Sequence, residues 1–225
     1  MSEDDQGVIG RLKHLLRFGH VPNLVVPELV VEGSTVSTQG LTRIGQSDFT
    51  ITVGSPDLIE SAREFLIAVN NYIAQNHVRV RANETMPHGT WLVKFIENNR
   101  GLLEPWEVGS DPSSFSPGMD RTLRDFRDQV SVCNRIGCDA IDTQGDLFAT
   151  VHTTLARIDV MIRARNPYEQ WSGWSFYAAD RRDEAHEHER LYTILGQRPE
   201  LAQFLALPEG FAVDVSTERV YRTGA

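Results

Sequence analysis

A stretch rich in glycine, proline and serine lies at the midpoint of the 225-residue chain and separates two halves with regular patterns. Residues 109–118 have the sequence GSDPSSFSPG, and no hydrophobic periodicity runs through them. Such a composition favours turns and extended linkers over regular structure. Because each half is long enough to bury a core of its own, we expect two small domains, residues 1–110 and 119–225, joined by a linker at residues 111–118.

Strand and helix patterns follow each other in the first half. Residues 49–53 alternate apolar side chains with threonine, which predicts a half-buried strand. Residues 58–73 carry apolar side chains at three- and four-residue spacing after Ser55 and Pro56, which predicts a helix. Further alternation predicts strands at residues 78–81, 91–96 and 102–108. The first domain is therefore expected to be a small antiparallel sheet with one packed helix.

The second half shows the same mixture of patterns. A helix is expected to begin after Pro117 and Gly118, and a short one to cover residues 199–206. Apolar runs and alternation predict strands at residues 131–136, 158–164, 174–177 and 211–215, with the second and third of these paired. Both halves are thus predicted to be α+β: two small domains, each a mostly antiparallel sheet with one or two packed helices.

Charge and composition narrow the classes of function. The formal net charge of -9 argues against a nucleic-acid-binding protein, because binding to phosphates needs a surface of lysine and arginine. No apolar stretch approaches the ~20 residues of a membrane span, and an acidic start unlike a signal peptide predicts a cytoplasmic protein. The two cysteines, Cys133 and Cys138, are too few for a disulfide scaffold or a zinc site. Reduced thiols and no cofactor are expected.

The densest group of potential metal ligands is Glu184, His186 and His188 in the sequence EAHEHE. Imidazole and carboxylate are ordinary ligands of zinc and manganese. On a helix, however, His186 and His188 would project about 200° apart, and on a strand so many charges would need an exposed edge. A solvated charged surface is the favoured interpretation, and a small metal-dependent enzyme using these three residues is the alternative.

Motifs for catalysis do not occur elsewhere in the sequence. There is no nucleophile elbow, no phosphate-binding loop, no dinucleotide-binding glycine motif and no paired-histidine zinc motif. We therefore assign no catalytic residues, and the protein is predicted not to be an enzyme.

One run in the second half resembles a known family. Residues 161–163 (MIR) end a predicted strand, and residues 172–180 (SGWSFYAAD) follow, with an acidic tract after them. Residues 207–210 (LPEG) complete the pattern. Over residues 129–222 the chain resembles an immunity-protein family of bacterial polymorphic toxin systems, first catalogued as a domain of unknown function. Ala179 stands where that family usually has glycine.

The resemblance implies a non-catalytic protein that protects its producer by binding a cognate protein toxin and blocking it. A basic surface on the toxin would suit the acidic chain. Alternation sends Tyr177 to the face opposite Trp174 and Phe176, where an exposed tyrosine is a favoured interface contact. The candidate partner-binding residues are therefore Tyr177, Asp180, Asp183 and Glu184. A further alternative is an adaptor whose N-terminal domain binds the partner.

Overall fold

The computed structural model describes residues 27–109, 114–165, 168–180 and 187–223. Helices and sheets are mixed, and the sheets are almost entirely antiparallel, so the fold is α+β as predicted. The described chain divides into two compact units, which we name unit 1 and unit 2. Unit 1 comprises residues 27–87, 92–109 and 114–124, whereas unit 2 comprises residues 88–91, 125–165, 168–180 and 187–223.

Unit 1 contains two sheets and a long helix. In the first sheet the strands pair antiparallel in chain order: β1 (Glu28–Glu32), β2 (Thr35–Gln39) and β3 (Thr50–Thr52). In the second sheet the order is β4 (Thr85–His88), β5 (Trp91–Glu97), β6 (Leu103–Val108) and β7 (Phe115–Pro117). Except for His88 and Trp91, the residues of this sheet belong to unit 1. Helix α1 (Ile59–Asn76) follows a 3₁₀ turn at Pro56–Leu58.

Apolar side chains of helix α1 and of the strands form the core of unit 1. Along α1 the buried apolar side chains recur every three or four positions: Ala62, Phe65, Leu66, Val69 and Ile73. The ring of Phe95 in β5 lies 5.4 Å from that of Phe49 and 6.4 Å from that of Phe65. The predicted strand at residues 49–53 and the predicted helix at residues 58–73 are both confirmed.

The predicted strand at residues 78–81 is wrong, and a buried side chain explains why. Gln46 accepts a hydrogen bond from the backbone N–H of Val80 (2.9 Å) and donates one to its carbonyl oxygen (2.9 Å). Because the amide of Gln46 satisfies both backbone groups, the segment needs no partner strand. The next strand along the chain is β4.

The predicted linker at residues 111–118 is partly a strand. Its residues 115–117 form β7, which pairs antiparallel with β6 and opposes Trp106 with Pro117. Proline lacks an N–H and is tolerated in a sheet at an edge strand, and β7 is the edge of its sheet. The division between the units likewise differs from the predicted one, since residues 114–124 belong to unit 1.

Unit 2 is built on a six-stranded sheet with the strand order β11-β8-β10-β9-β12-β13. The strands are β8 (Phe148–Val151), β9 (Val160–Arg163), β10 (Trp171–Tyr177), β11 (Glu187–Arg190), β12 (Phe211–Asp214) and β13 (Arg219–Arg222). The β8–β10 pair is parallel, and the other described pairs of this sheet are antiparallel. The predicted pairing of residues 158–164 with 174–177 is confirmed, because Trp174 opposes Arg163 and Tyr177 opposes Val160.

The predicted strand at residues 131–136 is wrong, because these residues belong to helix α2 (Asp120–Ile136). Gln129, Val132 and Cys133 are all buried at three- and four-residue spacing, so the helical period continues through this apolar run. A short α3 (Leu191–Gln197) follows β11 directly. The helix predicted at residues 199–206 is a 3₁₀ helix at Pro199–Phe204. Within the described residues, no helix combines the length and apolar character needed to span a membrane.

Candidate functional site

Several residues of unit 2 meet around one buried guanidinium group. Arg163, at the end of β9, is 8% exposed. Its Nη1 atom lies 2.7 Å from Thr143 Oγ1, 2.8 Å from the carbonyl oxygen of Leu205 and 2.7 Å from that of Leu207. The guanidinium carbon lies 5.7 Å from the ring centre of Trp174. Arg163 therefore connects the segment before β12 to the central strands of the sheet by hydrogen bonds.

Neighbouring groups bind the same segment. The indole Nε1 of Trp174 donates to the carbonyl oxygen of Leu205 (3.3 Å), and the thiol of Cys133 donates to the carbonyl oxygen of Ala206 (3.6 Å). The N–H of Gly210 donates to the carbonyl oxygen of Arg163 (2.9 Å). These bonds extend the contacts of Arg163 into a buried hydrogen-bond network within unit 2.

The charged guanidinium group of Arg163 is buried away from solvent. Burial lowers the pKa of Arg163 to about 10, while the nearby carboxylate of Glu209 acts in the opposite direction. The guanidinium still carries its proton at neutral pH, so its hydrogen bonds to the carbonyl oxygens are charge-assisted and stronger than neutral ones. Removing them would take from the carbonyl oxygen of Leu207 the bond that Arg163 donates, whereas that of Leu205 would keep bonds from Thr143 and Trp174.

The opposite face of the six-stranded sheet is partly open. In β10, Trp174 and Phe176 are fully buried on one face, whereas Trp171 and Tyr177 are half-buried on the other. Strand β8, which pairs with β10, and strand β11, which pairs with β8, place further rings on this second side. We name it the aromatic face, defined by Phe148, His152, Trp171, Tyr177 and His188.

Rings on the aromatic face contact each other. The edge of the His188 ring meets the Trp171 ring at 4.4 Å between centres, and Phe148 lies 5.9 Å from Trp171. Farther along β10, Tyr177 stacks on His152 at 4.3 Å with an angle of 6° between the rings. Each ring of the aromatic face therefore contacts at least one other ring of the face.

An arginine adjoins the aromatic face on the edge strand β11. Arg190 opposes Phe148 in the strand register, and its guanidinium lies 5.0 Å from that ring. The Arg190 side chain also donates to the carbonyl oxygen of Asp146 (3.2 Å). The surface therefore combines a tryptophan, a tyrosine and an arginine on one side of a sheet.

The structure places two of the four predicted partner-binding residues. Tyr177 lies on the aromatic face, opposite Trp174 and Phe176 as alternation predicts. Asp180 is exposed in the turn after β10. Asp183 and Glu184 lie outside the described residues.

Sequence reasoning missed Trp171, Phe148 and Arg190 as members of this surface. Trp171 and Tyr177 are separated by an even number of positions in one strand, so alternation could have placed both on the same face. The strand was predicted to begin at residue 174, and Trp171 was therefore left out. Phe148 and Arg190 join through the parallel pairing of β8 with β10 and the pairing of β11 with β8, which no local pattern reveals.

Of the three residues in the metal hypothesis, the structure describes one. His188 is exposed on β11 and contacts Trp171, whereas Glu184 and His186 lie outside the described residues. Among the residues that the structure does describe, no group of three or more histidine, cysteine, aspartate or glutamate side chains is arranged to hold an ion.

Unit 1 also contains a small pocket. It has a volume of about 220 Å³ and is lined in part by Arg79, Arg81 and Glu97. Ligand pockets in proteins usually measure about 300–1,000 Å³. We assign no ligand to this pocket.

His88 has a shifted pKa that predicts a pH effect on stability. Its ring packs 4.2 Å from that of Phe126, and burial lowers the pKa of His88 to about 4. A lowered pKa means that the folded state favours neutral imidazole, so the stabilisation is present above about pH 6.5 and is lost as the pH falls towards 4. We expect His88→Gln to remove about 2 kcal/mol of the acid-induced loss of unfolding free energy.

Urea unfolding at a series of pH values from 7 to 4 measures this effect. The exposed His77 provides the control, since His77→Asn keeps a residue that tolerates its left-handed backbone (φ 53°). The control should lose stability with pH as the unsubstituted protein does. If the unfolding free energy of the His88 variant depends on pH as that of the unsubstituted protein does, His88 is not the source of the acid-induced loss of stability.

Comparisons of the chain with models of protein families, with curated proteins and with solved structures find no match. The arrangement of side chains in unit 2 is therefore the main basis for inferring what the protein does.

Proposed function

We propose that this protein is a non-catalytic, cytoplasmic immunity protein that neutralises a cognate bacterial toxin by binding it directly. The observation that supports this most is the aromatic face of unit 2, where Trp171, Tyr177 and the adjoining Arg190 lie on one side of a sheet. Tryptophan, tyrosine and arginine are the residue types most enriched among those that dominate the binding energy of protein interfaces. The resemblance to the immunity-protein family supports the same conclusion.

The aromatic face suits tight binding because its rings are already held in place. Trp171 and Tyr177 project from the same strand and contact His188 and His152, so little side-chain freedom remains to be lost when a partner arrives. Half-buried aromatic rings also offer large apolar areas for a partner to cover. Each ring at the centre of an interface would contribute about 2 kcal/mol or more to binding.

Acidic residues that follow β10 in the sequence would orient the toxin. Asp180 is exposed directly after β10, and Asp183 and Glu184 follow it in the chain. Together with the net charge of -9, they favour a toxin with a basic surface. Such charges speed encounter and fix orientation more than they add affinity. The toxin would lose activity because its own surface is covered, so the immunity protein needs no chemistry of its own.

Growth of cells that express both proteins tests the proposal. We expect the toxin domain to be the C-terminal domain of a secreted protein encoded beside the gene of this chain. Expression of that domain alone should stop growth, and co-expression of the full chain should restore it. We expect the double substitution Trp171→Ala, Tyr177→Ala to weaken or abolish the rescue, because it removes about 4 kcal/mol or more of binding energy.

Phe115→Ala in unit 1 provides the matched control, since Phe115 is an aromatic residue that is half-buried like Trp171. The control variant should restore growth as the unsubstituted chain does. Thermal unfolding of all variants separates a loss of binding from a loss of folding. Failure of the unsubstituted chain to restore growth would contradict the function, and full rescue by the folded double variant would contradict the assigned surface.

A further inference from the structure

The end of helix α2 brings the two cysteines of the chain together. Gly137 adopts a left-handed conformation (φ 71°), and its N–H donates to the carbonyl oxygen of Asn134 (3.2 Å). The N–H of Cys138 donates to the carbonyl oxygen of Cys133 (3.0 Å). These two hydrogen bonds define a Schellman motif, a helix end in which the side chains at the Cys133 and Cys138 positions characteristically meet.

The side chains follow this backbone geometry. Both cysteines are free thiols, and the thiol of Cys138 is within hydrogen-bonding reach of that of Cys133. Cys133 is buried and also donates to the carbonyl oxygen of Ala206 (3.6 Å), whereas Cys138 is half-buried. The pair therefore consists of one thiol inside the core of unit 2 and one that reaches solvent.

The two thiols differ in their readiness to react. Burial, and to a smaller extent the neighbouring Cys138, raises the pKa of Cys133 to about 12. Cys133 is therefore a protonated thiol at neutral pH, and thiols react with oxidants as thiolates. The partly exposed Cys138 is the one that an oxidant in solution meets first.

We propose that Cys133 and Cys138 are an oxidation site that forms an intramolecular disulfide when the protein meets an oxidant of the peroxide class. The Cys138 thiolate attacks one oxygen of the peroxide, so that an S–O bond forms, the O–O bond breaks and water leaves after protonation. The sulfur of Cys133 then attacks that of Cys138. An S–S bond forms, the S–O bond breaks, and the proton of Cys133 leaves with the hydroxyl group as water.

The electrons balance in these two steps. Two thiols are oxidised to one disulfide, and one hydrogen peroxide is reduced to two molecules of water. The oxidation site does not use the aromatic face, so it holds or fails independently of the proposed function. A site of this kind suits the reducing cytoplasm, where disulfides are usually transient products of an oxidant.

Mass spectrometry of the full chain tests the proposal. The purified, reduced protein is treated with hydrogen peroxide at neutral pH, and remaining thiols are blocked with N-ethylmaleimide before digestion. Because the sequence contains only these two cysteines, a protein that loses both reactive thiols while remaining a monomer has joined them to each other. We expect this product, lighter by two hydrogen atoms, and we expect dithiothreitol to restore both thiols.

A matched pair of variants identifies the order of the steps. In Cys133→Ser the second thiol is missing, so Cys138 should stop at the sulfenic acid and be labelled by dimedone. In Cys138→Ser the remaining buried thiol should stay reduced under the same treatment. Retention of both thiols in the treated unsubstituted protein, or a disulfide only between two chains, would overturn the proposal even if a variant failed to fold.

Discussion

Replacing Arg163 with alanine is expected to lower the free energy of unfolding by about 3 kcal/mol. The substitution removes the donor shared by Thr143, Leu205 and Leu207 and leaves a cavity beside Trp174. The carbonyl oxygen of Leu205 keeps its bond from Trp174, whereas that of Leu207 loses a charge-assisted one. Relief from burying a charged group offsets part of the cost, so the loss stays below the sum of its parts.

Arg165→Ala is the control for this prediction, because Arg165 is exposed two positions farther along the chain. It should change the unfolding free energy by no more than about 0.5 kcal/mol. Urea unfolding followed by tryptophan fluorescence measures both variants, and Trp174 reports directly on the altered site. If Arg163→Ala unfolds at the same urea concentration as the control, the network does not stabilise unit 2 in the way described.

Replacing Gly145 with alanine is expected to cost about 2–3 kcal/mol of stability. A Cβ atom at this position would overlap the ring of Tyr192. That ring is buried and stacks on Trp91 with 5.4 Å between ring centres. The backbone cannot easily move away, since the N–H of Gly145 donates to Thr90 (2.8 Å) and its carbonyl oxygen accepts from Tyr192 (2.8 Å).

Gly196→Ala is the matched control for the Gly145 variant. Gly196 is part of α3, and a Cβ built there meets no heavy atom within 4 Å among the described residues, apart from its chain neighbours and the backbone of the helix itself. Alanine in a helix should therefore be neutral or stabilise by up to about 1 kcal/mol. Tyr192→Leu combined with Gly145→Ala should recover part of the lost stability, because a smaller side chain relieves the overlap. Equal thermal unfolding of the Gly145 and Gly196 variants would contradict the steric explanation.

Local periodicity predicted correctly the elements whose conformation does not depend on contacts with distant parts of the chain. The strand at residues 49–53 and helix α1 have clear two- and 3.6-residue periods, and both are present. Residues 78–81 have a strand pattern, but the long-range contact with Gln46 replaces the strand partner. Residues 131–136 look like a strand because valine and isoleucine occur there, yet burial of one helix side decides their conformation.

The candidate site was predictable in the same limited way. Alternation placed Tyr177 opposite Trp174 and Phe176 because these residues share one strand. The other rings of the aromatic face come from β8 and β11, and the parallel pairing of β8 with β10 joins segments far apart in the chain. Sequence patterns do not state which strands become neighbours, so the composition of the face required the structure.

Direct binding between the purified full chain and the toxin domain that we expect to be encoded beside its gene tests the central claim. The toxin domain carries a substitution that inactivates it, and isothermal titration calorimetry measures the association. Saturable binding is expected, with the dissociation constant raised about a thousandfold by Trp171→Ala with Tyr177→Ala and unchanged by Phe115→Ala. Absence of binding by the folded, unsubstituted chain, or equal binding by the double variant, would contradict the claim that this protein neutralises a toxin through the aromatic face.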